Sequence, residues 1–180
     1  MSKRKYFLLL LSVLLLLLTL FVCRWCYTSF FVHQEKVSEV LLEVPSDEKN
    51  LSSEQSEIFR KLKLVENDTS STNRLIMRCL NNERISNRDY VLYGITWNIM
   101  LPLWYNYTER LILYLHLMPF SGGNGLKYGA QHYFSKSINE LTQDELLRLI
   151  AISRSPTNFS REIEKPTVDK IVEEFRKQLE

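Results

Sequence analysis

The sequence predicts a mainly α-helical protein with one N-terminal membrane helix and one domain of ordinary size. An uninterrupted apolar run, in which Leu predominates, extends from Tyr6 to Val22. Between Leu75 and Phe120, large apolar and aromatic residues occur at the density of buried helices. Near the C-terminus, an i, i+3, i+4, i+7, i+11 spacing of apolar residues indicates an amphipathic helix (Val168, Ile171, Val172, Phe175 and Leu179). A chain of 180 residues with 45% apolar content allows one anchor and one such domain.

The apolar run is interpreted as an uncleaved membrane anchor over residues 6–23. Its core is short for a spanning helix, but Cys23 and interfacial aromatics such as Trp25 extend it. A cleaved signal peptide is the alternative, yet the small-residue cleavage site of such a peptide is missing. Basic residues occupy positions 3–5 and only Arg24 follows the run closely, so residues 1–5 are predicted to be cytoplasmic.

A polar stretch follows the anchor, with Glu, Ser, Lys, Asp and Asn in excess. We expect residues 24–69 to form a polar stalk or a reduced N-terminal subdomain. Within it, residues 39–44 fit a short strand and residues 52–64 fit a helix. The apolar contacts of that helix would come from Ile58, Leu62 and Leu64.

Buried helices are predicted between residues 75 and 120, where Pro102 divides the apolar stretch. A second membrane span over residues 90–105 is the competing interpretation. The run is short and contains Pro102, which favours a core helix. Further on, Thr142 and Glu145 form a capping box that opens a helix, and Pro156 closes it. Its apolar positions share one face (Leu146, Leu149 and Ile150).

Composition and spacing exclude several classes of function. The net charge of +2 and the absence of a basic run longer than three residues argue against nucleic acid as a partner. Cys23 and Cys26 have metal-ligand spacing, but no second ligand pair follows, so interfacial packing is favoured and no metal site is predicted. Glycines 122, 123, 125 and 129 lack a phosphate-loop or dinucleotide fingerprint. They are interpreted as a tight turn with close packing at Gly129, and no cofactor is predicted.

The order of residues from position 109 onward resembles one family. Matching positions are Tyr114-Leu115, Gly125-Leu126, Ala130, Tyr133-Phe134, Lys136, Leu141-Thr142, Glu145 and Pro156. This stretch is similar to the C-terminal half of the peptidoglycan glycosyltransferase module, glycosyltransferase family 51, which polymerises lipid II into glycan strands. Three positions depart from the family pattern: His116 stands for Asn, Lys127 for Glu and Ser135 for Gly. The resemblance implies a lysozyme-like helical domain over residues 70–180.

The resemblance is weakest at the family's catalytic residues. Family members use a Glu-Asp-x-x-Phe-x-x-His-x-Gly motif as the source of their general base, and no glycine precedes Gly94 here. Glu54 and Glu57 are the nearest remnants. The second family Glu, which follows an Arg-Lys pair, would fall near Leu92 or Gly94, and Asp89 is the closest acid. Both usual carboxylates are therefore expected to be absent.

Part of a substrate site is nevertheless implied by the resemblance. Arg78 stands where a family Lys contacts the diphosphate of lipid II, and arginine binds diphosphate well through its planar fork. Arg88, directly before Asp89, is the second candidate substrate contact.

These observations predict a membrane-anchored pseudoglycosyltransferase in the bacterial inner membrane, with its C-terminal domain periplasmic or extracellular. Its expected partners are the membrane and lipid II, nascent glycan or a cell-wall synthase. One alternative is an active polymerase whose base is Glu54, Glu57 or Asp89. Another is a small membrane inhibitor or assembly factor that docks through an aromatic face (Trp97, Trp104 and Tyr105).

Overall fold

A computed structural model gives the fold and describes residues 3–65, 75–76, 87–154 and 166–180. In the helix that begins at Asn87, side chains are described from residue 93 onward. The prediction of a mainly α protein is confirmed, and the helical arrangement is consistent with a lysozyme-like domain. The N-terminal elements are α1 (Lys3–Cys26), a π-helical turn (Tyr27–Phe31), α2 (Val32–Glu43), α3 (Ser46–Lys49) and α4 (Ser53–Lys61).

Within the described residues, the C-terminal part contains five helices and a short hairpin. The two strands are antiparallel, with Pro119 opposite Asn124 and Phe120 opposite Gly123. In chain order the elements are α5 (Asn87–Trp104), α6 (Tyr107–Leu117), β1 (Pro119–Phe120), β2 (Gly123–Asn124), α7 (Leu126–Phe134), a 3₁₀ turn (Ile138–Glu140), α8 (Gln143–Arg154) and α9 (Pro166–Leu179).

Helix α1 has the length and composition of a membrane-crossing helix. At about 1.5 Å per residue, its 24 residues extend over about 36 Å, compared with about 30 Å for a bilayer hydrocarbon core. None of its side chains is buried within the protein. It continues through the π-helical turn into α2, and within the described residues this continuous helix is the one candidate for a membrane span.

The π-helical turn and α5 pack together in the smaller of two cores. Trp97 is fully buried, and its indole N–H donates a hydrogen bond of 2.8 Å to the carbonyl oxygen of Ser29. The Trp97 ring lies 4.6 Å from the ring of Phe30, centroid to centroid. One face of α5 is therefore part of a core, as predicted. Trp97 and Tyr105 are buried and do not form an exposed docking face, whereas Trp104 is 47% exposed.

The main core lies between α4 and the helices that follow α5. Leu146, Leu149 and Ile150 of α8 are buried, which confirms the predicted apolar face. The predicted stripe on α9 is also confirmed, because Val168, Val172 and Phe175 are buried, with Ile171 and Leu179 packed at the edge of the same core. The guanidinium of Arg154 lies 4.6 Å from the centroid of the Phe175 ring.

The strand predicted over residues 39–44 is wrong, because α2 continues to Glu43. The helix ends there because Val44 precedes Pro45 and takes an extended conformation, with φ −56° and ψ 129°. The predicted helix after it is confirmed as α4, which begins at Ser53 after a capping box between Ser52 and Gln55. The interfaces of this segment with the C-terminal helices include the ring pair of Phe59 and Tyr114.

Ile58, Leu62 and Leu64 are buried, as expected from the sequence, but the helix is shorter than predicted, and Leu62 and Leu64 lie in the turn after Lys61. The predicted domain boundary between residues 69 and 70 lies outside the described residues, as does the proposed helix terminator Pro156. Residues 24–65 nevertheless share their two cores with the C-terminal helices.

Candidate functional site

The glycine-rich turn links the β-hairpin to α7, and the absence of a side chain matters at several of its positions. Gly122 and Gly125 have positive φ, at 91° and 96°, a conformation that residues with a Cβ rarely adopt. Gly125 is the N-cap of α7. A Cβ on Gly129 would lie 2.6 Å from the Phe120 ring. A tight turn and close packing at Gly129, as the sequence indicated, explain these glycines.

A buried carboxylate, Glu48 of α3, occupies the space beside this turn. The residue is 1% exposed. One of its oxygens, Oε1, accepts a hydrogen bond of 2.9 Å from the backbone N–H of Lys127, in the first turn of α7. Its Oε2 lies 2.8 Å from Nδ1 of His116. The helix N-terminus and the imidazole thus hold both oxygens of a carboxylate that would otherwise be costly to bury.

Gly125 is required for this arrangement for a steric reason as well. A Cβ at that position would lie 2.7 Å from Glu48 Oε1 and 3.3 Å from the carbonyl oxygen of His116. The absence of a side chain at Gly125 therefore makes room for the carboxylate at the start of α7.

The neighbouring acid on α3 forms a second link to α7. Asp47 Oδ2 lies 2.9 Å from Lys127 Nζ, and both side chains are largely exposed. The hydrogen bond and charge of Lys127 lower the pKa of Asp47, and the same pair raises the pKa of Lys127. Such exposed pairs contribute little to stability because water and salt screen them. The buried Glu48 is therefore the stronger of the two attachments.

The two acids of α3 contact two of the three positions at which the sequence departs from the family pattern. His116 replaces the Asn and pairs with Glu48, while Lys127 replaces the Glu and pairs with Asp47. A Glu at position 127 would instead place a third carboxylate beside Asp47 and Glu48, which like-charge repulsion disfavours. The Lys at position 127 therefore suits the docking of α3 on the glycine-rich turn.

Sequence reasoning missed Glu48. The local signal, Pro45 followed by Ser-Asp-Glu, indicates a helix start but not a partner. His116 and Lys127 were recognised as departures, yet nothing in the linear sequence connects them with residue 48.

Two of the three acids predicted as catalytic remnants, Glu54 and Glu57, lie on the surface of α4. Glu54 is exposed in the first turn of this helix, and Glu57 is paired with Arg60 at 3.2 Å. The side chains of Arg88 and Asp89 lie outside the described residues, and so does Arg78. The catalytic and substrate-binding roles of these five residues stay predictions.

Several other carboxylates after residue 105 are engaged in helix caps. Glu109 Oε2 accepts a hydrogen bond of 2.8 Å from the backbone N–H of Asn106. Glu140 caps the 3₁₀ turn by accepting from the backbone N–H of Ser137, also at 2.8 Å. Glu145 accepts from the backbone N–H of Thr142 at 2.8 Å, which confirms the predicted capping box. These carboxylates stabilise helix starts.

Ion pairs fix the remaining geometry of α8. Glu145 Oε1 lies 2.6 Å from Lys136 Nζ, and this lysine together with the backbone of Thr142 lowers the pKa of Glu145. Burial alone would raise the pKa of Asp144, but hydrogen bonds and charge from Arg148 and Arg176 outweigh it and lower that pKa. Arg148 also pairs with Asp169 of α9 at 2.7 Å, so these charges connect α8 with α9.

The fold defines a helical domain behind a long apolar helix, with a glycine-rich turn that opens α7. Residues 92–179 match the family model described as Transglycosylase. This segment is therefore similar to the transglycosylase domain of glycosyltransferase family 51, over slightly less than half of the chain. The match begins inside α5, so α3, α4 and the acids Glu48, Glu54 and Glu57 precede it. No curated protein and no solved structure matches the chain.

Proposed function

We propose that this protein is a membrane-anchored relative of the peptidoglycan glycosyltransferases that binds a cell-wall component without polymerising lipid II. The observation that carries the proposal is that the Glu48 carboxylate is buried with both of its oxygens already paired. A general base must come within about 2.6–3.2 Å of the hydroxyl that it deprotonates. Glu48 is 1% exposed and both its oxygens already have partners, so a sugar hydroxyl does not reach it while α3 is docked.

Five described carboxylates of the matched segment support the same conclusion. Glu109, Glu140 and Glu145 close capping boxes, while Asp144 and Asp169 pair with arginine. A base near neutral pH usually has a raised pKa. The pKa of Glu140, Asp144 and Glu145 is lowered instead.

The length of α1 and the family match together support a proposed place of action. A helix of this length and composition fits a membrane anchor, and the basic residues at positions 3–5 favour a cytoplasmic N-terminus. The transglycosylase segment would then lie on the outer face of a bacterial inner membrane, where lipid II is consumed. The ligands that we propose are lipid II, nascent glycan or a cell-wall synthase.

Titration of lipid II into the full-length protein in lipid nanodiscs tests this function, together with affinity capture of cell-wall synthases. We expect saturable binding or a co-purifying synthase. The Arg78→Ala variant is expected to weaken lipid II binding, whereas Arg60→Ala, which removes an exposed arginine paired with Glu57, serves as the matched control. The absence of both lipid II binding and a captured synthase would overturn the proposal.

A divergent polymerase is the second candidate, and the Glu48–His116 contact favours it. A carboxylate that orients an imidazole is the arrangement that prepares a histidine to accept a proton. The His116 side chain is 30% exposed, so unlike Glu48 it is accessible from solvent. His116→Asn restores the residue that the family pattern has at this position. If the wild type makes glycan and this variant does not, while Glu54→Gln and Glu57→Gln keep the activity, His116 is the base.

A further inference from the structure

Helix α5 has a second, apolar face that the protein leaves uncovered. Ile95, Ile99 and Leu103 follow i, i+4, i+8 spacing, which places them on one side of the helix. They are 53%, 59% and 72% exposed. The opposite side of the same helix carries Trp97 and Leu101, which are fully buried. The helix is therefore apolar on its outer face as well as on its core face.

This outer face lies directly beside the end of α1. The indole N–H of Trp25 donates a hydrogen bond of 2.9 Å to Oγ1 of Thr96, and the Trp25 and Tyr93 rings are 5.8 Å apart. An apolar cleft of about 230 Å³ opens between the two helices. It is lined by Trp25, Cys26, Ile95, Thr96, Ile99 and Met100.

The length of α1 sets the depth of this contact, on the proposed membrane anchoring. A hydrocarbon core of about 30 Å takes about 20 helical residues, so an anchor that begins near Tyr6 leaves the core near Trp25. Tryptophan and tyrosine are enriched at that level of the bilayer. Because Trp25 bonds to Thr96, the part of α5 around residues 93–99 lies at the outer interface of the membrane.

We propose that the face formed by Ile95, Ile99 and Leu103 lies in the outer interface of the bilayer as a second membrane contact. The continuity of this face with the exposed surface of α1 identifies the occupant as lipid, and the cleft accommodates part of a lipid hydrocarbon chain. The buried Trp97 and Leu101 keep the other side of α5 on the protein, so the helix lies along the membrane surface and does not cross it. Two contacts then fix the orientation of the transglycosylase segment relative to the bilayer.

Depth measurements with a fluorescent label test this inference on the full chain. Cys23, Cys26 and Cys79 are replaced by Ser, and single cysteines are introduced at Leu14, Ile99, Leu103 or Glu174. Each variant carries an environment-sensitive fluorophore and is reconstituted into phosphatidylglycerol–phosphatidylethanolamine vesicles. Position 14 reports on the anchor, and Glu174, exposed on the polar side of α9, is the water-facing control. Circular dichroism confirms that each variant has kept its helices.

Brominated lipid is expected to reduce emission roughly twofold at positions 14, 99 and 103 but not at 174, as for an apolar face within the acyl boundary. Iodide dissolved in the water phase should quench the label at position 174 more strongly than the labels at positions 14, 99 and 103. Quenching by lipid at position 14, with positions 99 and 103 quenched by iodide as strongly as 174, would overturn the second contact and leave the anchor intact. Labels at 99 and 103 shielded from both quenchers would mean a protein-covered face and would also overturn it. An unquenched label at 14 would instead reject the anchor on which the inference rests.

Discussion

At the scale of single residues, Glu48 and Gly125 explain how the N-terminal segment is attached to the glycine-rich turn. The carboxylate is buried with two partners, and the missing Cβ of Gly125 leaves space for it. Substitution of either residue is therefore expected to lower the free energy of unfolding more than substitution of an exposed residue.

Gly125→Ala should destabilise the protein by about 1–3 kcal/mol, because the new Cβ meets Glu48 and the positive φ becomes strained. Gly94→Ala is the matched control, since a Cβ there has nothing within 4 Å and α5 gains roughly 1 kcal/mol of helix propensity. Chemical denaturation of both variants in the same detergent measures the difference. Equal stabilities would contradict the steric account.

Glu48→Ala leaves the Lys127 N–H and the His116 ring without their buried partner, at a cost of about 1–3 kcal/mol. Glu57→Ala removes an exposed carboxylate paired with Arg60 and should change stability by less than about 0.5 kcal/mol. Denaturant midpoints compare the two. A Glu48 variant as stable as the Glu57 variant would show that α3 is not anchored through this side chain.

At the scale of elements, the sequence was sufficient wherever the signal was local. The capping box of Thr142 and Glu145 and the apolar stripe of α9 involve residues within a few turns of each other, and both are present. Residues 39–44 were misread as a strand because the short apolar run Val40-Leu41-Leu42 has no clear period. The helix that runs continuously from α1 decides their conformation.

Contacts between residues far apart in the sequence could not be predicted from such local patterns. The glycine-rich turn and the departures at His116 and Lys127 were recognised from sequence. The partner of both, α3, comes from a segment about 70 residues earlier, as the sequence separations of 68 and 79 show. A single sequence contains no signal that joins these segments in space.

Thr142→Ala removes the hydroxyl that accepts from the backbone N–H of Glu145 and should cost about 1 kcal/mol. Thr167→Ala, exposed in the first turn of α9, serves as the comparison because this side chain is not part of the box. Thermal unfolding followed by circular dichroism gives the difference. If the Thr142→Ala variant unfolds at the same temperature as the Thr167→Ala variant, the capping box does not determine the stability of α8.

At the scale of the whole molecule, charge pairs between helices make stability depend on pH. The pKa values of Asp144 and Glu145 are lowered in the folded protein, so the unfolded chain takes up protons first as pH falls. Their stabilising contribution is complete above the unfolded values of about 4–4.5 and is lost as pH falls through the lower folded values.

Acid should therefore lower the unfolding midpoint of the full-length protein once pH falls below about 4.5. Lys136→Met removes the ion pair with Glu145 and should make this loss shallower. Unfolding curves recorded at several pH values check both statements. A midpoint that rises towards acidic pH would contradict the assignment of these pairs.

The uncovered face of α5 is part of the segment that matches the transglycosylase family, and it adjoins the proposed anchor through the hydrogen bond of Trp25 to Thr96. We propose that the protein keeps a transglycosylase-like scaffold without the polymerising chemistry. The most direct measurement is polymerisation of labelled lipid II by the purified full-length protein in detergent, with and without an inhibitor of the family. We predict no glycan strands from folded protein, whereas inhibitor-sensitive strands would contradict the account.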